Sequence, residues 1–426
     1  MLILILFGAL AVFVIIGLPV ALSLAGASLV YVLVAGQVPG LVVVHRMVAG
    51  VDSFPLLAVP FFILAGNLMN SAGITARIFA FAQALVGWMR GGLGHVNVGA
   101  SVLFAGMSGA AVADAGGLGA IEIRAMRDAG YDTDFAIGIT ASSSTIGPLI
   151  PPSLPMVIYG VLASASIGQL FAAGVIPGLL MAVALMVMVN IYARRRGYAR
   201  ANAFSLCVLW TSFRAAALSL ITPAIIIGGI LFGIMTPTEA AIAAVAWAMF
   251  LGMVVYRNLP LRALYRVSLA SLETTVVIMF VISAASIFSW VLTQNRVPQE
   301  FAALISELTN NRFAILILIN LILFVVGCFM ETVAAITILV PVLLPLAVAA
   351  GVDPVQFGVI MVLNLMLGLL TPPVGMVLYI LAKVSDVSFE TTARATMPFI
   401  LPLLVVLALV TFIPAVSMWL PTLLYR

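Results

Sequence analysis

The sequence predicts an all-α polytopic membrane protein assembled from an inverted repeat, and three observations carry that expectation. Of 426 residues, 64% are hydrophobic and 8% charged, against roughly a quarter charged in a soluble domain. Charge-free runs such as residues 135–193 exceed the ~20 apolar residues that one bilayer crossing needs. The chain also matches itself at an offset of 221 residues, and the matched residues are those that interrupt helices. The same composition removes several functions. Lys383 is the only lysine and no Gly-rich loop precedes it, so there is no P-loop and no nucleotide-driven work. Cys207 and Cys328 lie in apolar surroundings, and two histidines, His45 and His95, make no cluster. Neither a disulfide framework nor a transition-metal site is expected.

Residues 1–44 carry no charge and no basic region precedes their apolar stretch, which reads as a retained anchor rather than a cleavable signal. Region 1–53 is then one span near 3–35 and an outer loop. Continuous spans follow at 54–72, 168–193, 214–234, 238–256, 268–294 and 396–421. Two further spans cannot be continuous. Residues 134–163 contain Ser142–Ser144, Gly147, Pro151 and Pro152, and residues 354–384 contain Asn364, Gly368, Thr371, Pro372 and Pro373; each proline removes a helical hydrogen bond. Segments 95–128 and 312–349 are interrupted midway by Gly106-Met107-Ser108-Gly109 and by Gly327-Cys328 with Glu331-Thr332. They read as re-entrant hairpins of two half-length helices. Segments 74–90 and 297–310 read as amphipathic arms along the interface.

Threading this map with the N-terminus cytoplasmic and the C-terminus periplasmic puts fourteen of the eighteen basic residues inside, leaving Arg46, Arg296, Arg312 and Arg426 outside. That is the expected asymmetry of a membrane protein. Arg194–Arg196 reads as a topology anchor.

At the 221-residue offset Gly106 falls on Gly327, Gly130 on Gly351, Asp132 on Asp353 and Gly147 on Gly368. Pro151-Pro152 falls on Pro372-Pro373, and Pro177 on Pro398, without a gap. Each unit, 54–193 and 268–421, crosses three times, and two linking spans within 194–267 separate them. The repeats are therefore inverted, which with paired broken helices is the architecture of secondary transporters.

A broken helix exposes carbonyls that suit a cation and amides that suit a carboxylate. Ser142, Ser143, Ser144 and Thr145 in one break, and Asn364 and Thr371 in the other, add hard oxygen donors of the kind sodium prefers over transition metals. Close helix packing is the competing reason for such small polar residues. The hairpin tips Gly106–Gly109, followed by Asp114, and Gly327, followed by Glu331 and Thr332, would face the breaks if the repeats close on one another. Asp114 is a functional candidate by its depth, or a cap of its half-helix. Glu122 reads as a partner of Arg124 or Arg127, and His95 as structural. Gly106-Met107-Ser108-Gly109 also fits the short pattern of an intramembrane serine protease, but no base is placed near Ser108, and no enzyme is expected.

Phe104–Gly119 (FAGMSGAAVADAGGLG), Ser142–Gly160 (SSSTIGPLIPPSLPMVIYG), Gly368–Tyr379 (GLLTPPVGMVLY) and Pro55–Asn67 (PLLAVPFFILAGN) resemble the large membrane subunit of tripartite ATP-independent periplasmic (TRAP) transporters, the DctM-like family. The resemblance covers essentially the whole chain. It implies sodium-coupled, elevator-type uptake of a small organic anion at a bacterial inner membrane. A separate small four-span membrane subunit and a periplasmic substrate-binding protein are the implied partners, and co-transported sodium is the only implied cofactor. Sodium is implied between each tip and its facing break, at Gly106, Ser108, Gly109, Ser142, Ser143, Ser144 and Gly147, and at Gly327, Thr332, Asn364, Gly368, Thr371 and Gly375. Substrate is implied between the tips, near Met107, Ser108, Asp114, Pro151, Pro152, Glu331, Pro372 and Pro373. Relatives often carry Ser-Gly-Ser-Ala at the first tip, where this chain has Ser108-Gly109-Ala110-Ala111, so one hydroxyl is missing. A stand-alone sodium–dicarboxylate symporter or antiporter is the alternative within transport, and a non-transporting scaffold subunit the alternative outside it.

Overall fold

The computed structural model describes residues 2–36, 38–198, 204–309 and 311–425. Within its helices the side chains of Leu2, Gly106, Met107, Ser108, Ala113, Ser306 and Leu308 lie outside that description. Among the described residues all regular structure is helical. The N-terminal region holds α1 (Leu2–Ile15), α2 (Val20–Ala35) and α3 (Leu41–Val51). The first repeat holds α4 (Ala58–Ser71), α5 (Ile74–Val86), α6 (Gly92–Ser108), α7 (Ala111–Gly116), α8 (Leu118–Asp128), α9 (Thr133–Ser144), α10 (Leu154–Leu162) and α11 (Ile167–Arg196). The linkers are α12 (Leu206–Leu231) and α13 (Pro237–Phe250). The second repeat holds α14 (Leu261–Gln294), α15 (Val297–Leu308), α16 (Arg312–Phe329), α17 (Thr332–Ala349), α18 (Pro354–Gly368), α19 (Met376–Ser385) and α20 (Phe389–Phe412), and α21 (Ala415–Leu424) closes the chain. Eight helical segments among the described residues are long and apolar enough to cross a membrane. The protein is a multi-pass membrane protein.

The element ends follow the repeat. Displaced by 221 residues, the end of α6 falls on that of α16, the start of α7 on that of α17, and the end of α8 on that of α17. Gly130 and Gly351, which follow those last ends, share φ values of +80° and +78°. Both breaks are present, between α9 and α10 and between α18 and α19. The broken helices are also the most enclosed: every residue of 135–144 and of 355–368 is buried. Around them packs the main core, while the buried residues of α1–α3 belong to a satellite cluster that gathers Leu6, Leu24 and Tyr31 with Phe288 and Leu292 of α14.

Four expectations change. The single span near 3–35 is two helices, because Pro19 supplies no N–H and Gly17 turns the backbone at φ +87°; α2 folds back on α1. The outer loop of 36–53 is mostly α3. The last span begins at Phe389 and stops at Phe412, where Pro414 ends it and α21 begins. The hairpin arms also differ from the half-length helices expected. Both α16 and α17 have 18 residues, about 27 Å at 1.5 Å per residue, whereas the second arm of the first hairpin is divided at Gly117 into α7 and α8.

Beyond the membrane core, Arg196 at the end of α11 bonds Asp132 and Asp134 at the head of α9, each at 2.8 Å. Its guanidinium holds the Asp134 carboxyl below the ordinary carboxylate range. The topology anchor of the sequence thus also ties two helices together.

Candidate functional site

Each break is built from a helix that runs out of hydrogen-bond partners. In the first, α9 ends in hydroxyls that bend back onto its own last carbonyls: Ser144 Oγ donates to Ala141 O (2.8 Å) and Thr145 Oγ1 to Ser142 O (2.6 Å). Donation of the proton leaves hydroxyl lone pairs free to face a ligand. The chain then passes through the cis Pro151-Pro152 bond, and Ser153 caps α10 by accepting from Met156 N at 3.2 Å while bonding the Pro148 carbonyl. In the second break Thr371 Oγ1 donates to Leu367 O (2.9 Å), Pro372-Pro373 is again cis, and Gly375 opens α19.

The tips sit on the breaks of their own repeats. Gly109, at φ +58°, lies so close to the first break that a Cβ there would stand 2.4 Å from Pro152 O. In the second repeat the backbones of Gly327 and Gly368 touch, and a Cβ on Gly368 would come within 2.3 Å of Gly327 C. The Cys328 carbonyl accepts from Val374 N and Gly375 N at 3.2 and 3.4 Å. Packing is also exchanged between repeats: α17 lies on α10, and α19 on α7.

The structure therefore brings Gly109 to Pro152, Gly327 to Gly368, and the second tip to Gly375. Gly147 lies in the first break beside Ser144 O, Pro151 and Thr332 are buried, and Pro373 is exposed. The sequence also placed Gly106, Met107 and Ser108 at the first site; their side chains lie outside the described residues. Other candidates are already engaged or enclosed. The Glu331 carboxylate accepts from Val333 N (2.8 Å) and Ala334 N (3.2 Å), so it caps α17 rather than standing free for substrate. Asp114 is enclosed within the first hairpin, 2% exposed, rather than presented between the tips. Ser143 Oγ donates to Asn97 Oδ1 (2.6 Å), and Asn364 Nδ2 to Asn320 Oδ1 (2.8 Å). These two residues match at the repeat offset, and each rivets its broken helix to the first arm of its hairpin.

Those arm residues are what the sequence reading missed. Asn97 also donates to Glu122 Oε2 (2.6 Å) and Thr140 Oγ1 (2.7 Å). Glu122 therefore faces inward, and Arg127 turns instead to the Ser385 carbonyl at 2.7 Å. The available signal was a lone asparagine in each apolar arm, since a buried amide needs partners.

The family model of the tripartite ATP-independent periplasmic transporter DctM component matches residues 7–416. The chain belongs to the DctM family. It is a transporter permease subunit, and not an enzyme, so the Gly106–Gly109 protease pattern has no catalytic meaning. Among relatives, the sialic acid TRAP transporter large permease protein SiaM of Vibrio cholerae is 48% identical over 407 residues, covering 96% of this chain and 95% of that protein. The C4-dicarboxylate TRAP transporter large permease protein DctM of Rhodobacter capsulatus is 37% identical over 435 residues, 99% of each. The sialic acid TRAP transporter permease protein SiaT of Haemophilus influenzae is 44% identical over 409 residues, which is 96% of this chain and 66% of SiaT. Among solved structures, the Alcanivorax borkumensis YdaH transporter superposes with a TM-score of 0.66 over 90% of each chain at 13% identity, a likeness of fold alone.

Proposed function

We propose that this chain is the sodium-coupled transport subunit of a TRAP importer for a small organic anion, a carboxylate such as a dicarboxylate or a sugar acid. The observation that carries the reading is the paired seating of hairpin tips on broken helices, Gly109 on Pro152 and Gly327 on Gly368. Helix ends there offer carbonyl oxygens to a cation and amides to a carboxylate. In this reading sodium binds between each tip and its break, and substrate binds between the tips. The two re-entrant hairpins and both broken helices move together as an elevator against α4, α12, α13 and α14. The names of relatives, which include sialic acid, C4-dicarboxylate and 2,3-diketo-L-gulonate permeases, support an acidic substrate. A small membrane subunit and a periplasmic binding protein complete the system in a bacterial inner membrane.

With α1 and α2 folded into a hairpin, the fourteen-to-four distribution of basic residues is kept only if the N-terminus joins the C-terminus on the periplasmic side. That revises the cytoplasmic N-terminus of the single-span reading.

Reconstitution tests the assignment. Proteoliposomes holding the chain with its small subunit, supplied with loaded binding protein, take up a radiolabelled organic acid when sodium is outside and stop when choline replaces it. Full uptake on a proton gradient alone overturns the choice of cation. Vigorous accumulation of free substrate by this chain without partners overturns the tripartite assignment in favour of a stand-alone symporter.

A further inference from the structure

The first hairpin encloses two carboxylates that its fold does not need. Asp114 and Glu122 are each 2% exposed, lie close enough to act on one another electrostatically, and sit between α6, α8 and α9. Asn97 serves one oxygen of Glu122. Glu122 Oε1 and both Asp114 oxygens have no hydrogen-bond partner of good geometry, although the Ser101 hydroxyl stands beside Asp114. Burying one unpaired charge in a low-dielectric interior is expensive, and burying two like charges together is more so.

No base answers them. Arg196 is the only basic residue in an ion pair among the described residues, and it pairs with Asp132 and Asp134. Arg127 is turned to Ser385. The other titratable groups on the elements packed around the pair are His95 of α6, Arg124 and Asp128 of α8, and Tyr379 and Lys383 of α19. None forms an ion pair with either carboxylate.

The second repeat is an internal control. It builds a matching set of arm, arm and broken helix, its second arm continuous where the first is divided at Gly117, with Leu318, Ile322, Ala335, Leu343 and Met361 where the first has Asn97, Ser101, Asp114, Glu122 and Thr140. Packing is therefore satisfied by apolar residues at all five places, and the polar set in the first repeat serves something else.

We propose that Asp114 and Glu122 are the anionic centre of a monovalent-cation site inside the first hairpin, separate from the tip sites, which takes sodium or a proton. The free oxygens of both carboxylates and the Ser101 hydroxyl are the ligating set. Asn97 acts as a positioning residue that holds Glu122 and, through Ser143, joins the site to the first break. The site stands whether or not the tips bind sodium, so its test can fail independently of the proposed function.

The experiment uses the purified chain with its small subunit, reading thermal unfolding against sodium concentration at fixed ionic strength and against pH without sodium. Glu122→Gln and Asp114→Asn keep the shape and remove the charge. If sodium is the ligand, the sodium concentration for half-maximal stabilisation rises by roughly tenfold or more, the scale of a lost charge-assisted contact. If the proton is the ligand, the sodium response stays and the pH response flattens. Thr371→Ala serves as the tip-site comparison and leaves the pH response unchanged. Should both variants fail to fold, the wild-type complex is treated with a hydrophobic carbodiimide and mapped by mass spectrometry; modification of Asp114 or Glu122 that sodium or high pH suppresses supports the site. Variants with wild-type responses to both ions, or modification indifferent to both, overturn it.

Discussion

In the first repeat side chains make the joint between hairpin and broken helix, with Ser143 bonding Asn97, and Asn97 bonding Glu122 and Thr140. In the second only a neutral amide pair, Asn364 on Asn320, links side chains, and the backbone adds the rest, with Gly327 against Gly368 and the Cys328 carbonyl taking two N–H groups of the facing loop. One plan of helices thus carries two chemistries. A backbone joint tolerates no added atom, whereas a side-chain joint tolerates shape changes but no lost partner.

The most severe test of that contrast is Gly368→Ala. The new Cβ meets backbone 2.3 Å away, and overpacking of this kind costs about 1–3 kcal/mol or more. Unfolding in detergent is expected to drop accordingly, with uptake lost. Gly327→Ala, whose Cβ would meet its neighbours at 3.3 Å, is expected to be milder; equal effects would break the comparison. The side-chain joint is probed next by Asn97→Ala, which strands a buried carboxylate and is expected to cost about 1.5–3 kcal/mol, against about 0.5–1.5 kcal/mol for the neutral pair in Asn320→Ala. The same unfolding assay ranks them.

For sodium dependence the geometry separates two residues that sequence treats alike. Asn364 keeps a buried, unpartnered Oδ1, whereas the Ser143 hydroxyl is committed to Asn97. Asn364→Ala is therefore expected to raise the sodium concentration for half-maximal uptake more than Ser143→Ala. The reverse order in a transport titration would shift the second cation site away from Asn364. The smallest effect lies outside both joints. Arg196 holds the Asp134 carboxyl below its ordinary range, so the pair contributes stability above the unfolded carboxylate pKa of about 4 and loses it as pH falls through the lower folded value. Exposed pairs contribute about 0.2–1 kcal/mol. Asp134→Asn is expected to flatten the acid limb of unfolding by no more than that.

What could be read from sequence depended on how locally each feature is encoded. The breaks were legible because a Pro-Pro doublet near Gly147 or Gly368 leaves no helical solution, and the repeat displayed it twice. Single prolines were not informative. Pro177, Pro223, Pro341, Pro345, Pro398 and Pro402 all lie inside continuous helices, because neighbouring groups in a packed bundle can satisfy the freed carbonyl. Pro19, one residue of the same type, ends one helix and admits another; only its combination with Gly17 marked the difference. Glu122 was misassigned for a geometric reason. Residues at i and i+2 do not share a helix face, so Arg124 could not reach the side of α8 that Glu122 presents, and its partner Asn97 lies on the other arm. Such pairings are tertiary facts: a lone asparagine in an apolar arm says that a partner is needed, not which one it is.

The exchange of partners between repeats has a consequence for biosynthesis. Tyr159 of α10 donates to the Pro354 carbonyl at 2.6 Å, and its ring fills the space left by Gly358, while α17 covers α10. On the ribosome, α10 emerges some two hundred residues before these partners. A nascent chain that stops after α13 therefore holds a complete row of spans with its central half-helices unclosed, and contacts of such long sequence separation form late. The first repeat is accordingly expected to close only once the second has been made. Two separately expressed halves are expected to become resistant to proteolysis only when both are present in the bilayer.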